Sequence, residues 1–241
     1  FVNLMNQHAY HLGMKNTQFA NSTGMPAKDL DHITTAYDLA ILARALIKDY
    51  PEVYDLHKIK EFTYGENPPI KQYNRNKLLW RDKSVDGIKT GHTEEAGYCL
   101  VASALRDNMR LISVVMGASG ESARAKVSQT ILNYGYRFYE THKLYSSGDI
   151  ITDVKVWKAD IDSMQLTLKD DFYITIPRGQ YDKLEPVIEI DMKIIAPVEQ
   201  GERQGTLKIL LSDENLASVP LLAKTSISRG NIFNRLKDDI H

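Results

Sequence analysis

An antiparallel hairpin is the strongest structural signal in this chain. Two apolar runs rich in valine and isoleucine, Tyr98 to Leu105 and Met109 to Gly117, are separated only by Arg106-Asp107-Asn108. Two such runs joined by a short polar turn predict two adjacent antiparallel strands. The hairpin follows the triplet Lys89-Thr90-Gly91 closely, which places that triplet on a neighbouring strand and restricts the fold to an antiparallel sheet.

Three segments have the apolar spacing of helices. The first contains Phe1, Leu4, Met5 and Leu12 and is expected to stop at Gly13. The second begins with Thr35 as a cap and is blocked by Pro51, with Asp38 three residues after the cap and one apolar stripe between. The third runs from Ser122 to about Tyr139 and carries four apolar residues on one side: Val127, Ile131, Tyr134 and Phe138. Residues 61 to 80 are predicted to form short strands and turns.

The pattern changes near Thr141. From Ile150 onward, short segments of alternating polarity are separated by turn clusters such as Pro177-Arg178-Gly179. This period-two alternation predicts a small all-β domain. The chain is therefore interpreted as an α+β protein with two domains, residues 1–141 and residues 142–241.

Composition excludes several classes of protein. The formal net charge is -1 and the basic residues are scattered, so nothing predicts a nucleic-acid surface. The single cysteine, Cys99, has no partner for an internal disulfide. No run of about 18 consecutive apolar residues predicts a membrane span. The last residues place Ile232, Phe233, Leu236 and Ile240 on one helical face, which fits either an interfacial helix or a terminal helix packed on its own domain.

The chain opens at Phe1 inside a predicted helix, without an initiator methionine or a signal-peptide pattern. We therefore expect it to be the C-terminal part of a longer polypeptide, with a trimmed natural N-terminus as the alternative.

The Lys89-Thr90-Gly91 strand suits recognition of a carboxylate beside a reactive carbonyl. Lys89 supplies a positive charge with three donors, and the Thr90 hydroxyl can hydrogen-bond a carboxylate. Because Gly91 has no side chain, a substrate backbone can lie against the strand as an added strand. The backbone N–H of His92 is then placed to donate to an oxyanion.

Two other candidate sites are weaker. His8 and His11 have a spacing that could bind a metal, but no third ligand is apparent, so we expect no metal site there. Gly117-Ala118-Ser119-Gly120 resembles a nucleophile elbow, yet Glu121 stands where that motif requires glycine.

Several collinear segments covering nearly the whole chain resemble D-alanyl-D-alanine carboxypeptidases, the low-molecular-mass penicillin-binding proteins. They are Thr34 to Ala40, Asn74-Arg75-Asn76 with Leu78-Leu79-Trp80, Val85 to Thr93, Gly97-Tyr98, Met109 to Val115, Tyr136 to Glu140, and Ile174 to Gly179. The resemblance implies part of a transpeptidase-like domain followed by a β-rich C-terminal domain.

The resemblance also implies a mechanism and residue roles. A serine activated by the lysine of Ser-x-x-Lys attacks the penultimate D-alanine carbonyl of a peptidoglycan pentapeptide, terminal D-alanine leaves, and water hydrolyses the acyl-enzyme; β-lactams acylate the same serine. Lys89, Thr90 and His92 correspond to catalytic positions. Lys89, Thr90, Gly91 and Arg124 correspond to substrate-binding positions, with Arg124 on the terminal carboxylate.

No cofactor or metal is implied by the family. The implied location is the periplasmic face of the bacterial inner membrane, reached through a C-terminal amphipathic helix, and the implied partners are D-Ala-D-Ala stem peptides and β-lactams.

The sequence departs from the family pattern in two motifs. None of its serines begins Ser-x-x-Lys or Ser-x-Asn, so the nucleophile is expected upstream of this chain. Thr23 also stands where some relatives have histidine. A carboxypeptidase with its nucleophile elsewhere and a non-catalytic peptidoglycan-binding module therefore both remain open. A class A β-lactamase is disfavoured by the long β-rich segment after the hairpin.

Overall fold

The computed structural model describes residues 1–27 and 31–231 and confirms an α+β fold. The chain divides into two compact units, Phe1–Phe138 and a second that begins at Tyr139. The last predicted helix, around residues 232–240, lies outside the described residues. Within the described part, no helix is both long enough and apolar enough to cross a membrane.

Within its described residues, the first unit contains five helices and five strands. The helices are α1 (Val2–His11), α2 (Ala36–Asp49), α3 (Pro51–Tyr54), α4 (Leu78–Arg81) and α5 (Glu121–Phe138), with a 3-10 turn at Asp55–Lys58. The strands are β1 (Glu61–Tyr64), β2 (Ile70–Tyr73), β3 (Val85–Thr93), β4 (Gly97–Arg106) and β5 (Met109–Ala118). β1 and β2 form a separate hairpin, and the other three strands form an antiparallel sheet in the order β3-β4-β5.

Both predicted helix boundaries near the start of the chain are confirmed. α1 ends at His11, and Gly13 follows with φ +81°, a left-handed conformation that glycine adopts without strain. The Thr35 side chain accepts a hydrogen bond from the Asp38 amide at 3.1 Å and so caps α2. The Asp38 carboxylate is buried and accepts from the Asn16 amide and the Thr17 hydroxyl, which fixes α2 against the loop after α1.

The predicted hairpin is also confirmed. β4 and β5 are joined by Asp107 and Asn108, which both have positive φ, as a tight two-residue hairpin turn requires. In the segment from residue 61 to residue 80, the prediction of short strands holds for β1 and β2. It is wrong for α4, where the amide of Leu78 bonds to the side chain of the preceding Asn76.

The apolar side of α5 is not its buried side. Its buried residues are Arg124, Ala125, Ser128 and Leu132, while the apolar stripe is exposed by 44% to 59%: Val127, Ile131, Tyr134 and Phe138. The helix lies so close to β5 that a Cβ at Gly135 would come within 2.5 Å of Leu111 Cδ1. Close approach selects small residues for the side that faces the sheet, and apolar periodicity does not reveal that side.

The second unit is the predicted all-β domain. Its strands are β6 (Tyr139–Tyr145), β7 (Ile150–Lys155), β8 (Ser163–Thr167), β9 (Phe172–Pro177), β10 (Leu184–Ile190), β11 (Arg203–Leu211) and β12 (Glu214–Ala223). Five of them form a sheet in the order β10-β11-β12-β8-β7, and β6 pairs with β9. Alternate residues of β9 and β11 point into one apolar core, which includes Ile174, Ile176, Leu207 and Ile209.

Candidate active site

A cleft of about 570 Å³ lies beside β3 in the first unit. Its lining includes the predicted site residues Lys89, Thr90, Gly91, His92 and Arg124. The structure therefore brings these five residues together, although α5 begins 30 positions after Gly91. No serine or cysteine is among the residues that line this cleft within the described part of the chain.

β3 is an edge strand in the described sheet, and its free edge borders the cleft. Lys89 is exposed, and its Nζ donates a 2.6 Å hydrogen bond to the backbone oxygen of Thr90. Thr90 lies opposite Leu100 of β4 and is half-buried. A cation and a hydroxyl thus stand next to each other on the strand, which is an arrangement able to bind a carboxylate.

The imidazole of His92 is engaged by neighbouring residues of β4. Its ring stacks on Tyr98 with centroids 3.8 Å apart and an interplanar angle of 12°, and its Nδ1 lies 3.1 Å from the backbone oxygen of Gly97. The side chain is therefore engaged with β4. The prediction that the backbone N–H of His92 serves as an oxyanion donor is taken up below as a proposal.

Arg124 is positioned by the first turn of α5 and is only 3% exposed. Its Nη1 donates to the backbone oxygen of Gly91 at 3.1 Å and to that of Cys99 at 3.4 Å. Its guanidinium carbon also lies 5.5 Å from the centroid of the Tyr98 ring. These contacts hold the arginine against β3 and β4.

Arg75 was not singled out as a site residue by the sequence, yet it lines the same cleft. It is exposed, and within the described residues its guanidinium makes no hydrogen bond or ion pair. Its charge contributes to a lowered pKa of Glu121, although the main cause is a hydrogen bond from Lys77. Arg75 is therefore a cation directed to the cleft without a competing partner.

The two asparagines beside Arg75 fix its position. Asn74 donates from its side chain to the carbonyls of His57 and Ile59 at the base of the β1–β2 hairpin. Asn76 is 1% exposed and donates to the Gly87 carbonyl at 2.9 Å. The segment Asn74-Arg75-Asn76 thus joins the hairpin to β3 and leaves the arginine exposed. This role depends on contacts with residues distant in sequence, so the local sequence does not reveal it.

A polar cluster supports β3 on the side of α3. The Tyr54 hydroxyl donates to Asp86, and Arg110 bonds to Asp86 and, at 2.7 Å, to the Ser103 hydroxyl. Burial raises the pKa of Tyr54, and its hydrogen bond to Asp86 raises that pKa further. The phenol is therefore a structural donor here and stays protonated at neutral pH.

No group of three or more histidine, cysteine or acidic side chains in the described residues is arranged to hold a metal ion. His8 and His11 lie exposed on α1. Cys99 lies on β4 with its Sγ 3.4 Å from the Ala96 carbonyl.

Comparison with known proteins agrees with this fold. The family model described as D-alanyl-D-alanine carboxypeptidase matches residues 1–120, and the one described as penicillin-binding protein 5, C-terminal domain, matches residues 139–229. The D-alanyl-D-alanine carboxypeptidase DacA of Escherichia coli (strain K12) is 39% identical over 242 residues, covering 100% of this chain and 59% of the relative. The chain thus spans about three fifths of the length of the curated relatives that it matches.

Solved structures give the same result. Penicillin-binding protein 5 from Haemophilus influenzae is 37% identical with a TM-score of 0.82, over 95% of this chain and 66% of that structure. The D-alanyl-D-alanine carboxypeptidase DacD from Francisella tularensis is 30% identical with a TM-score of 0.64, over 95% of this chain and 68% of that structure. The fold and the Lys-Thr-Gly edge strand define a low-molecular-mass penicillin-binding protein. This chain belongs to the D-alanyl-D-alanine carboxypeptidase family.

Proposed function

We propose that this chain forms the substrate-binding side of a serine-type D-Ala-D-Ala carboxypeptidase. A serine oxygen attacks the carbonyl of the penultimate D-alanine in a peptidoglycan pentapeptide, and terminal D-alanine leaves after its amine gains a proton. Water then hydrolyses the acyl-enzyme, and β-lactams acylate the same serine. The nucleophile and its lysine belong to sequence outside these 241 residues, because no serine here begins the required motifs.

The observation that carries this proposal is the edge strand β3 beside a cleft that also holds Arg75. A substrate bound along that edge as an added strand places its scissile carbonyl at the His92 N–H and its terminal carboxylate near Thr90. Gly91 permits the close approach, and Lys89 polarises the serine of the Ser-x-Asn motif. Arg75 is proposed as the cation that binds the terminal carboxylate, because it is exposed and otherwise unpaired among the described residues.

The proposed location is the periplasmic face of the inner membrane, where peptidoglycan and its stem peptides lie. The family membership supports an extracytoplasmic protein that acts on the cell wall. A peripheral attachment through the apolar face of residues 232–240 is part of the same proposal and rests on their sequence pattern alone. The proposed functional boundary is at residue 141, and no cofactor is required.

The test is labelling by a fluorescent penicillin on a denaturing gel, with this chain beside the complete product of its gene. We expect the complete product alone to be labelled, since an acyl-enzyme survives denaturation and this chain has no nucleophile motif. Unlabelled penicillin added first should abolish the band.

The absence of both serine motifs also favours a second candidate, a non-catalytic module that binds D-Ala-D-Ala peptides or penicillin. If neither protein is labelled while the complete product still binds a pentapeptide in calorimetry, the enzyme proposal is refuted and the binding module stands.

A further inference from the structure

The backbone geometry at Gly91 assigns Arg124 a different role from the one that the family resemblance implies. We propose that Arg124 is a positioning residue, which aims and polarises the backbone N–H of His92 as an oxyanion donor and does not bind the substrate carboxylate. The inference rests on the proposed function, because an oxyanion forms only in the acyl-transfer reaction.

One nitrogen atom of Arg124 reveals the direction of two backbone carbonyls. Gly91 on β3 lies opposite Cys99 on β4, and one nitrogen of Arg124 reaches both backbone oxygens, at 3.1 and 3.4 Å. Opposite residues of an antiparallel pair point their backbone groups either toward each other or both away. A single nitrogen can reach both oxygens only when both point into the space between the two strands. The backbone carbonyl of Gly91 therefore points toward β4.

The direction of the His92 N–H follows from the planarity of the peptide unit. The Gly91 carbonyl and the His92 N–H belong to one trans peptide, so they point in opposite directions. Because the carbonyl points toward β4, the N–H points to the free edge of β3. The bond from Lys89 Nζ to the Thr90 oxygen fits the same alternation, because it places the Thr90 carbonyl on the edge where the cleft lies.

The charge of Arg124 polarises the peptide group between Gly91 and His92. A hydrogen bond from a guanidinium to a carbonyl is charge-assisted, and polarising one end of a peptide strengthens the donor at its other end. Arg124 lines the cleft but is only 3% exposed, so its charge acts in surroundings of low dielectric. Among the described residues it forms no ion pair with a carboxylate, since the nearby Glu121 pairs with Lys77 at 2.8 Å. Its hydrogen bonds go to the two backbone carbonyls.

Burial also argues against the carboxylate role. A substrate carboxylate would have to displace the bonds to Gly91 and Cys99 or share an almost fully covered guanidinium. Arg75 is exposed in the same cleft, so all the N–H donors of its planar guanidinium are available to a carboxylate. The two arginines therefore have different roles. Arg75 binds the terminal carboxylate of the bound substrate, and Arg124 stabilises the oxyanion of the transition state through the His92 N–H.

The experiment uses the complete gene product and two probes. One is an acylated peptide that ends in D-Ala-D-Ala, for which kcat and KM are measured separately. The other is a peptidyl boronic acid that ends at the boron analogue of the penultimate D-alanine and so lacks the terminal carboxylate. Its boron accepts an electron pair from the serine oxygen, and the serine proton passes to the general base. The affinity for the resulting tetrahedral anion therefore reports the oxyanion donors and not the site that binds the terminal carboxylate.

For Arg124→Gln we expect kcat to fall by about 10- to 100-fold, less than the roughly 10²–10³-fold of deleting an oxyanion donor itself. KM should stay within about twofold, and the inhibition constant of the boronic acid should rise by a factor similar to the loss in kcat. Arg124→Lys keeps the charge without the planar fork and should lie between the two proteins. Lys126→Gln, which removes an exposed cation from the same helix, should match the wild type.

A raised KM with unchanged kcat and unchanged boronic acid inhibition in Arg124→Gln overturns the inference and returns Arg124 to the carboxylate. Thermal melting confirms that each variant is folded, and Arg124→Lys supplies the test if the glutamine variant is not. A wild-type product that penicillin fails to acylate refutes the proposed function, and the inference with it. Acylation of the wild type with full kcat in both Arg124 variants refutes the inference alone.

Discussion

The side-chain amide of Asn76 donates a 2.9 Å hydrogen bond to the backbone oxygen of Gly87, two residues before Lys89. The same side chain accepts from the Leu78 amide at 3.1 Å, so both ends of the buried amide are bonded. One asparagine therefore ties the start of β3 to the start of α4 and fixes the origin of the Lys-Thr-Gly segment.

Replacing Asn76 by alanine should destabilise the first unit. The change leaves the Gly87 carbonyl and the Leu78 amide without their partners in a buried place, which costs about 1–3 kcal/mol for each unsatisfied group. We expect a loss of about 2–4 kcal/mol in the free energy of unfolding. Urea unfolding followed by the fluorescence of Trp80, in a Trp157→Phe background, measures the first unit specifically, because the chain has only these two tryptophans.

Asn3→Ala is the matched control, since Asn3 is exposed on α1. A loss at Asn76 no larger than at Asn3 contradicts a structural role for this amide.

Two glycines of β3 should differ in their tolerance of an added methyl group. A Cβ at Gly87 would lie 2.9 Å from the Tyr54 hydroxyl oxygen and 3.1 Å from its Cε2, whereas a Cβ at Gly91 would meet only Cys99 Cβ at 3.8 Å. Tyr54 is buried and hydrogen-bonded, so it cannot move aside easily. Gly87→Ala should therefore lose about 1–3 kcal/mol of unfolding free energy.

Gly91→Ala should fold with a stability within about 1 kcal/mol of the wild type, because the space is free and alanine restricts the unfolded chain. Equal losses at the two positions in the same urea experiment would show that the packing of Tyr54 against β3 is not the cause.

Leu132 and Ile131 separate the packing face of α5 from its apolar face. Leu132 is 1% exposed, and its truncation to alanine should cost about 2–5 kcal/mol. Ile131 is 44% exposed, and its truncation should cost less than about 1 kcal/mol in the same unfolding experiment. A larger loss at Ile131 than at Leu132 would contradict the assignment of Leu132 to the buried face of α5.

These three comparisons indicate which parts of the molecule the sequence predicts. The β4–β5 hairpin and the Thr35 cap depend on neighbouring residues, so local patterns identify them. The contacts of Asn76 with Gly87 and of Arg124 with Gly91 join residues 11 and 33 positions apart. No local pattern specifies such pairs, because tertiary packing decides which backbone group each side chain meets.

The α5 helix shows a second limit of sequence interpretation. Apolar periodicity identified the helix but not its buried side, because Ala125, Ser128 and Gly135 allow close contact with the sheet without being strongly apolar. Arg75 shows a third limit: Asn74-Arg75-Asn76 is one of the segments that carry the family resemblance, but no sequence pattern predicts that this arginine lines the cleft.

Asp82 should make the stability of the first unit depend on pH under acidic conditions. Burial alone would raise its pKa, but hydrogen bonds from Ser84, Gln129 and Arg106 outweigh burial and lower the pKa to about 2 from 3.8. A carboxyl with a lowered folded-state pKa stabilises the protein above its unfolded pKa and loses that effect as the pH falls toward its folded pKa. The contribution should therefore be complete above about pH 5 and vanish near pH 2.

The side chain of Asp82 is 13% exposed, so its contribution at neutral pH should be about 2 kcal/mol. Asp82→Asn should lower the unfolding free energy at pH 7 by about that amount and flatten the slope between pH 4 and pH 2. An unchanged slope in the variant would assign the acid sensitivity to other carboxylates.

Arg75 should govern the affinity for a substrate carboxylate. In the complete gene product, Arg75→Gln removes a charge-assisted hydrogen bond worth about 1.5–3 kcal/mol, so KM for a D-Ala-D-Ala peptide should rise by at least about tenfold with little change in kcat. Inhibition by the boronic acid without a carboxylate should be unchanged. Arg81→Gln, which removes an exposed cation at the end of α4, is the control. If Arg75→Gln instead lowers kcat and weakens the boronic acid, Arg75 acts on the oxyanion, and the division of roles between the two arginines is wrong.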